Sequence, residues 1–348
     1  LKLLVVSQSK IQYTGFLIEN KAGIFRFGFN GVVCLFPFSV VFFMKTDGLR
    51  QTEKSSQRIQ PGNKGNKKMD KWPVGVFASI DAGLGVKLEV VRELGIKSVQ
   101  LHTPSKQSRT AENAARFLKK LKDDDITVSV VFLGFEGESY ETIKITAETV
   151  GLVPEKTRAA RLAESKEISD FARLLGVNAI GSHIGFVPHD RASRQYQEVL
   201  AVIQELCDYL KSNGQRLHLE TGQEKTSDLL RFIHDVKRDN IFINFDPANL
   251  ILYGMGEPLE SLKEVGHLVR SVHCKDATMT RGVPGVDWGC EVPFGQGEVD
   301  APAFLKTLKE VGYEGPLTIE REIPQEQERQ MAEIGQALRL INQIKASL

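Results

Sequence analysis

From Pro73 onward the chain alternates between short apolar, β-branched runs and longer amphipathic stretches. Short apolar runs bounded by turn formers predict strands, and apolar positions spaced three and four apart predict helices. Eight strands are expected: Val74–Ala78, Ser98–His102, Thr127–Leu133, Ala179–His183, Arg216–Glu220, Ile241–Asp246, Ser271–His273 and Leu317–Glu320. Helical patterns fill the gaps, among them Leu84–Leu94, Ala111–Leu121, Lys156–Leu175, Tyr196–Leu210, Phe304–Val311 and Gln325–Ile344. Several of these end at a glycine suited to a left-handed cap, at Gly95, Gly176, Gly214 and Gly312. Most of the strands are continuously apolar, as strands buried on both faces should be. Repeated β–α units predict a parallel sheet with right-handed crossovers. Eight of them predict an α/β fold, a (β/α)8 TIM barrel, over residues 69–348. The rival is an open doubly wound sheet, but no GxGxxG follows the first strand.

Residues 1–68 break this rhythm. The segment Gly31–Met44 is apolar apart from Ser39, contains Pro37, and is shorter than the roughly 20 residues of a spanning helix. No small-x-small cleavage site follows it, and from Lys45 to Lys71 the chain turns polar and Gly/Lys-rich, which reads as a flexible tether. Membrane anchor, cleaved leader and dispensable appendage are the three readings. The last is preferred, because Met69 stands just before the first convincing strand. The expectation is a poorly ordered, non-homologous N-terminal extension, with the native product beginning at Met69 or the leader dispensable.

Composition narrows the function. Lys+Arg 45 against Asp+Glu 44 leaves a formal charge of +1 over 348 residues, so no basic face is expected and no nucleic-acid partner is called for. Cys34, Cys207, Cys274 and Cys290 form no CxxC pair, which argues against a zinc knot or disulfide scaffold and for a reducing, cytoplasmic setting.

In such barrels the chemistry sits at the C-terminal ends of the strands. Strand five ends LHLE at Glu220, strand six INFD at Asp246, strand seven SVH at His273 and strand eight LTIE at Glu320. Each alone reads as a cap or a surface charge. Together, three carboxylates on one rim would repel unless some protonate or a cation intervenes. Three oxygen donors and one nitrogen suit one divalent ion such as Mn²⁺, Mg²⁺ or Co²⁺, with Zn²⁺ also accommodated.

The segments FDPANL, VHCKD, VPFGQGEVD and GPLTIERE, in that order, resemble the sugar isomerase/epimerase-like TIM barrels. These are similar to xylose isomerase, and the pattern is nearest to ketose 3-epimerases and inosose-processing enzymes. The resemblance runs from about Trp72 to Ile344. It implies that Glu220, Asp246, His273 and Glu320 hold the metal, that Glu220 and Glu320 also form the acid/base pair, and that His183 contacts substrate. Ketose 3-epimerases tend to carry a His where this chain has Asn249, and an Arg where it has Met279. Both positions bear on substrate.

The implied reaction is proton abstraction next to the carbonyl of a small sugar or polyol ketone, through an enediolate. Around that core Lys275, Asn249 and Glu224 are candidate hydrogen-bond partners, each with a plainer reading as surface charge, turn residue or helix cap. His102, ending strand two, is a weaker candidate with a packed or surface His as its plain reading. The Gly-rich Thr280–Gly297 is too long for an ordinary connection, so it is expected to cover the mouth, with Trp288 stacking on a sugar face. Phe135–Val153 is expected to wall the other side.

Rival functions remain. An inosose or dehydroshikimate-type dehydratase would use the same metal site. A three-zinc endonuclease cutting at abasic sites needs a DxxH after strand six and a DxH after strand seven, where this chain has Asp246-Pro247-Ala248-Asn249 and Asp287-Trp288-Gly289. A non-catalytic sugar-binding barrel is the non-enzyme alternative. Homo-oligomerisation is compatible with the sequence but not required by it, since no isolated apolar stripe demands a partner.

Overall fold

A computed structural model describes residues 72–81, 84–281 and 288–348, together with the backbone of 16–19, 25–29 and 32–35. Among the first 66 residues, strands Phe16–Glu19, Phe25–Phe29 and Val32–Leu35 pair as a small antiparallel sheet. The expected tether, and Met69 with it, lie outside the described residues.

The strands from Val74 on are β1 (Val74–Ser79), β2 (Ser98–His102), β3 (Thr127–Phe132), β4 (Ala179–Ser182), β5 (Arg216–Glu220), β6 (Ile241–Phe245), β7 (Val269–Cys274) and β8 (Leu317–Ile319). Each is hydrogen-bonded in parallel to the next, and β8 pairs with β1 through Leu317↔Val74 and Ile319↔Val76. The sheet is therefore a closed eight-stranded parallel barrel. Closure leaves none of these eight strands without a partner on either side, and the outer faces are sealed by amphipathic helices. Helices Glu155–Leu174, Arg194–Ser212, Thr226–Val236 and Ala301–Glu310 bury Ile168, Phe171, Ile203, Leu206, Phe232 and Phe304 in the main core. Gly95, Gly176, Gly214 and Gly312 take φ of 68°, 73°, 70° and 75°. An added Cβ there would meet nothing, so it is the left-handed backbone that selects glycine.

Three stretches differ from the sequence-based expectation. The helix expected over Leu84–Leu94 begins at Leu88, because Val86–Lys87 extends the strand hydrogen bonding of β1 (Ala78↔Val86). Phe135–Val153 is not a bare loop: Thr142 Oγ1 accepts from Ile145 N–H at 3.1 Å and caps a short helix, Ile143–Thr149, whose β-branched composition hid its periodicity. After β7, Asp276–Met279 pairs antiparallel with Gly289–Val292, so a hairpin occupies the Gly-rich segment; 282–287 are outside the described residues. Its return is pinned by Asp276, whose Oδ2 accepts from the N–H of Gly295 and Gly297 at 2.9 and 3.0 Å, and whose Oδ1 accepts from that of Val299 at 3.1 Å. Among the described residues no helix is long and apolar enough to cross a membrane.

Candidate metal centre

Glu220 ends β5, Asp246 follows β6, His273 lies within β7 and Glu320 follows β8. Barrel closure turns all four toward one point. His273 Nδ1 lies 2.8 Å from Glu220 Oε1, 3.3 Å from Asp246 Oδ2 and 2.7 Å from Glu320 Oε2. One donor atom from each residue falls within 4.8 Å of the others. Ligands about 2.1 Å from a common octahedral ion stand about 3 Å apart, so the spacing fits a hard or borderline divalent cation.

The interior of the barrel fixes this geometry. Gln100, on β2, is fully buried; its amide nitrogen donates to Asn244 Oδ1 (3.2 Å), Thr318 Oγ1 (3.2 Å) and the Val272 carbonyl (3.4 Å). Its oxygen is then left as acceptor for His273 Nε2–H at 2.8 Å, which turns Nδ1 toward the carboxylates. Strand register shifts at Val99/Gln100 and at Ile243/Asn244, a local irregularity that re-aims both polar side chains inward. Asp246 has two tasks: Oδ1 accepts from Asn249 N–H (3.0 Å) and caps helix Pro247–Leu252, which aims Oδ2 at His273. Thr221 Oγ1 accepts the Asp246 N–H at 2.8 Å, tying the end of β5 to that of β6. Gly222, at φ 133°, lets the chain after β5 pass against Asn249, where an added Cβ would lie 2.2 Å from the Asn249 Cβ. Phe77 and Phe132 pack on the imidazole of His273, ring centroids 5.6 and 5.2 Å away, and keep that side dry.

Burial and charge split the two glutamates. Burial pushes Glu220 up to about 7, against the hydrogen bond from His273. Glu320 is also buried, but the charges of His273 and Lys275 outweigh that and hold it below the ordinary carboxylate range. Burial raises Asp246. His273 loses solvation, yet the surrounding carboxylates, Glu320 foremost, hold its pKa well above the usual value.

The centre opens into a cavity of about 170 Å³, below the roughly 300–1,000 Å³ of drug-sized pockets and suited to a small polar molecule. His183, Lys275, Asn249 and Trp288 line it with Glu220 and Glu320, and so does His102. His183 Nδ1 accepts from Gly185 N–H at 3.2 Å, so the ring proton sits on Nε2, which has no hydrogen-bond partner among the described residues. Burial lowers His183 to about 3, which keeps it a neutral donor. Lys275 Nζ lies 2.8 Å from Glu322, 3.5 Å from Glu320 and 3.9 Å from Glu291. Although burial opposes its charge, these carboxylates raise Lys275 well above its usual value. Glu224 stands outside the lining: it is buried, and burial pushes it up to about 8.

Sequence reasoning did not pick out Gln100, Tyr140, Tyr253, Glu291 or Glu322. Tyr140 and Tyr253 meet His183 edge-on at 5.7 and 6.2 Å, and Glu138 and Tyr140 supply the wall expected of the segment after β3. A polar residue inside the apolar strand SVQLH was the signal available for Gln100.

Two curated relatives match part of the chain. One is an inosose dehydratase from Clostridium botulinum (strain Alaska E43 / Type E3), 29% identical over 115 residues, 30% of this chain and 38% of that protein. The other is an L-ribulose 3-epimerase from Methylomonas sp. (strain DH-1), 27% identical over 149 residues, 41% of this chain and 46% of that protein. The chain thus spans less than half the length of each. A xylose isomerase domain protein from Planctomyces limnophilus has a solved structure that is 52% identical, with TM-score 0.77, covering 80% of this chain and 98% of that one. The sequence model of the xylose isomerase-like TIM barrels matches residues 88–344, and the chain belongs to that family.

Proposed function

We propose that this protein is a divalent-metal-dependent isomerase or epimerase of a small sugar or sugar-derived ketone, working by proton transfer at the carbon next to the carbonyl. The observation that carries this reading is the convergence of Glu220, Asp246, His273 and Glu320 on one point, with the two glutamates on strands three places apart around the barrel. These four side chains would hold the ion. The chemistry it supplies when bound is Lewis acidity at the carbonyl oxygen, which stabilises negative charge developing there.

The chain's own groups supply the proton traffic. Glu320 and Glu220 form the acid/base pair: one accepts the proton from carbon, a proton is returned through the other, and the roles exchange in the reverse direction. Inverting a centre takes one group to remove the proton from one face of the carbon and another to serve the opposite face, which a single base cannot do. His183 Nε2–H and Lys275 donate to hydroxyl oxygens, Asn249 adds a polar contact, and Trp288 offers a stacking face. Phe77 and Phe132 exclude water from the ring of His273.

A dehydratase acting on an inosose or dehydroshikimate-type ring is the second reading. It is favoured by the likeness to the inosose dehydratase and by Lys275, 3.5 Å from Glu320, as a proton source for a departing hydroxyl.

The test is metal analysis of the purified protein, then screening of ketoses and inososes in D₂O by proton NMR. Epimerisation conserves mass and brings in deuterium, whereas dehydration loses water. If the Mn²⁺- or Mg²⁺-loaded protein exchanges no substrate proton in either class, the proposal fails.

A further inference from the structure

The cavity over the metal centre does not end at the centre. A second cavity, about 490 Å³, adjoins it across Leu84, His102, Glu138 and Tyr140, which line both. Its far wall is formed by the segments after β2 and β3, including Thr103, Arg109 and Phe135. Arg109 is the built element there. Its side chain is only 7% exposed; Nη2 is paired with Glu164 at 2.8 Å and Nε donates to the Pro104 carbonyl at 2.8 Å. Nη1, also buried, has no protein partner among the described residues. A guanidinium clamped at two nitrogens and unmet at the third is preorganised to donate to a ligand oxygen.

Charge decides what kind of oxygen. Lys106 and Arg109 face Glu136, Glu138 and Glu164, so the lining carries no surplus positive charge and does not favour a phosphate. Aromatic Tyr140 at the junction, apolar Leu84 at 39% exposure and several hydrogen-bonding groups match the mixed C–H and hydroxyl surface of a sugar ring.

We infer that the second cavity is a glycosyl subsite: the substrate is a keto-sugar carrying a second, uncharged sugar unit, the ketone end lying at the metal centre and the appended unit against Arg109 and Tyr140. This rests on the proposed function, whose site it extends.

The experiment compares each ketose with its glucosylated form, D-fructose against isomaltulose and maltulose first, using Mn²⁺-loaded protein. Binding is read by calorimetry and proton exchange in D₂O by NMR. A glucosyl ketose is expected to show kcat/KM or affinity about tenfold better than its parent, as one charge-assisted bond would give. The ratio of the two should return toward one in Gln107→Trp, an exposed residue at the edge of the second cavity whose added bulk would obstruct it. Glucosyl ketoses performing no better than their parents, or a gain that survives Gln107→Trp, would overturn the subsite while leaving the proposed function standing. If neither form binds or exchanges, both readings fall.

Discussion

Replacing Gln100 by methionine keeps the side chain close in length but removes an acceptor and a donor from the centre of the barrel. In the structure Gln100 receives the Nε2–H of His273 at 2.8 Å and donates to Asn244 and Thr318 at 3.2 Å each. All four side chains are at most 1% exposed, so water has no easy access to replace the lost bonds. An unmet buried polar group costs about 1–3 kcal/mol. With the losses shared over neighbouring groups, stability should fall by about 3 kcal/mol rather than by their full sum. Losing the partner that orients a metal-ligating histidine typically costs about 10–100-fold in affinity, or about 1.4–2.7 kcal/mol. The assay is calorimetric Mn²⁺ titration beside a thermal melt, at a temperature where the variant is folded. Gln100→Glu separates orientation from stability: it keeps an acceptor for His273 but cannot donate to Asn244, so it should lose stability while retaining most of the metal affinity. Wild-type Mn²⁺ affinity in folded Gln100→Met, or equal affinity losses in both variants, would refute the idea that Gln100 sets the direction of His273.

Three further outcomes are expected. Glu320→Gln should keep part of the metal affinity and lose solvent deuterium exchange by about 10²–10⁴-fold, and normal exchange would remove Glu320 from the acid/base pair. Metal binding must displace the proton that the carboxylates hold on His273, and that on Glu220, whose pKa is pushed up to about 7. Affinity should therefore weaken as pH falls below neutrality, with protons released on binding when calorimetry is repeated in buffers of different ionisation enthalpy. Glu224, pushed up to about 8 by burial, binds its proton more tightly folded than unfolded. Stability should thus fall as pH rises from about 4.5 toward 8, by on the order of 3 kcal/mol at pH 7, and Glu224→Gln should flatten that slope in melts at pH 5 and pH 8.

The strands were legible in the sequence, and so were the residues at their tips. Each parallel strand is covered on both faces, so its apolar run is continuous and its ends fall within a few residues of those observed, as at β2 and β5, where Ser98–His102 and Arg216–Glu220 coincide with the expectation. Once eight such units are counted, closure puts Glu220, Asp246, His273 and Glu320 on one rim, because strand direction fixes which end each side chain occupies. Local sequence does not encode which polar groups meet across the barrel. Gln100 and His273 are 173 positions apart, and Lys275 meets Glu322 only because a hairpin and the chain after β8 fold over the same mouth. Glu224 and Lys275 read alike in the sequence, each a charge a few residues beyond a strand tip, yet one is buried away from the cavity and the other lines it. Periodicity records burial along one element. Partnership depends on the twist and register of several elements at once, and those are settled only when the barrel closes.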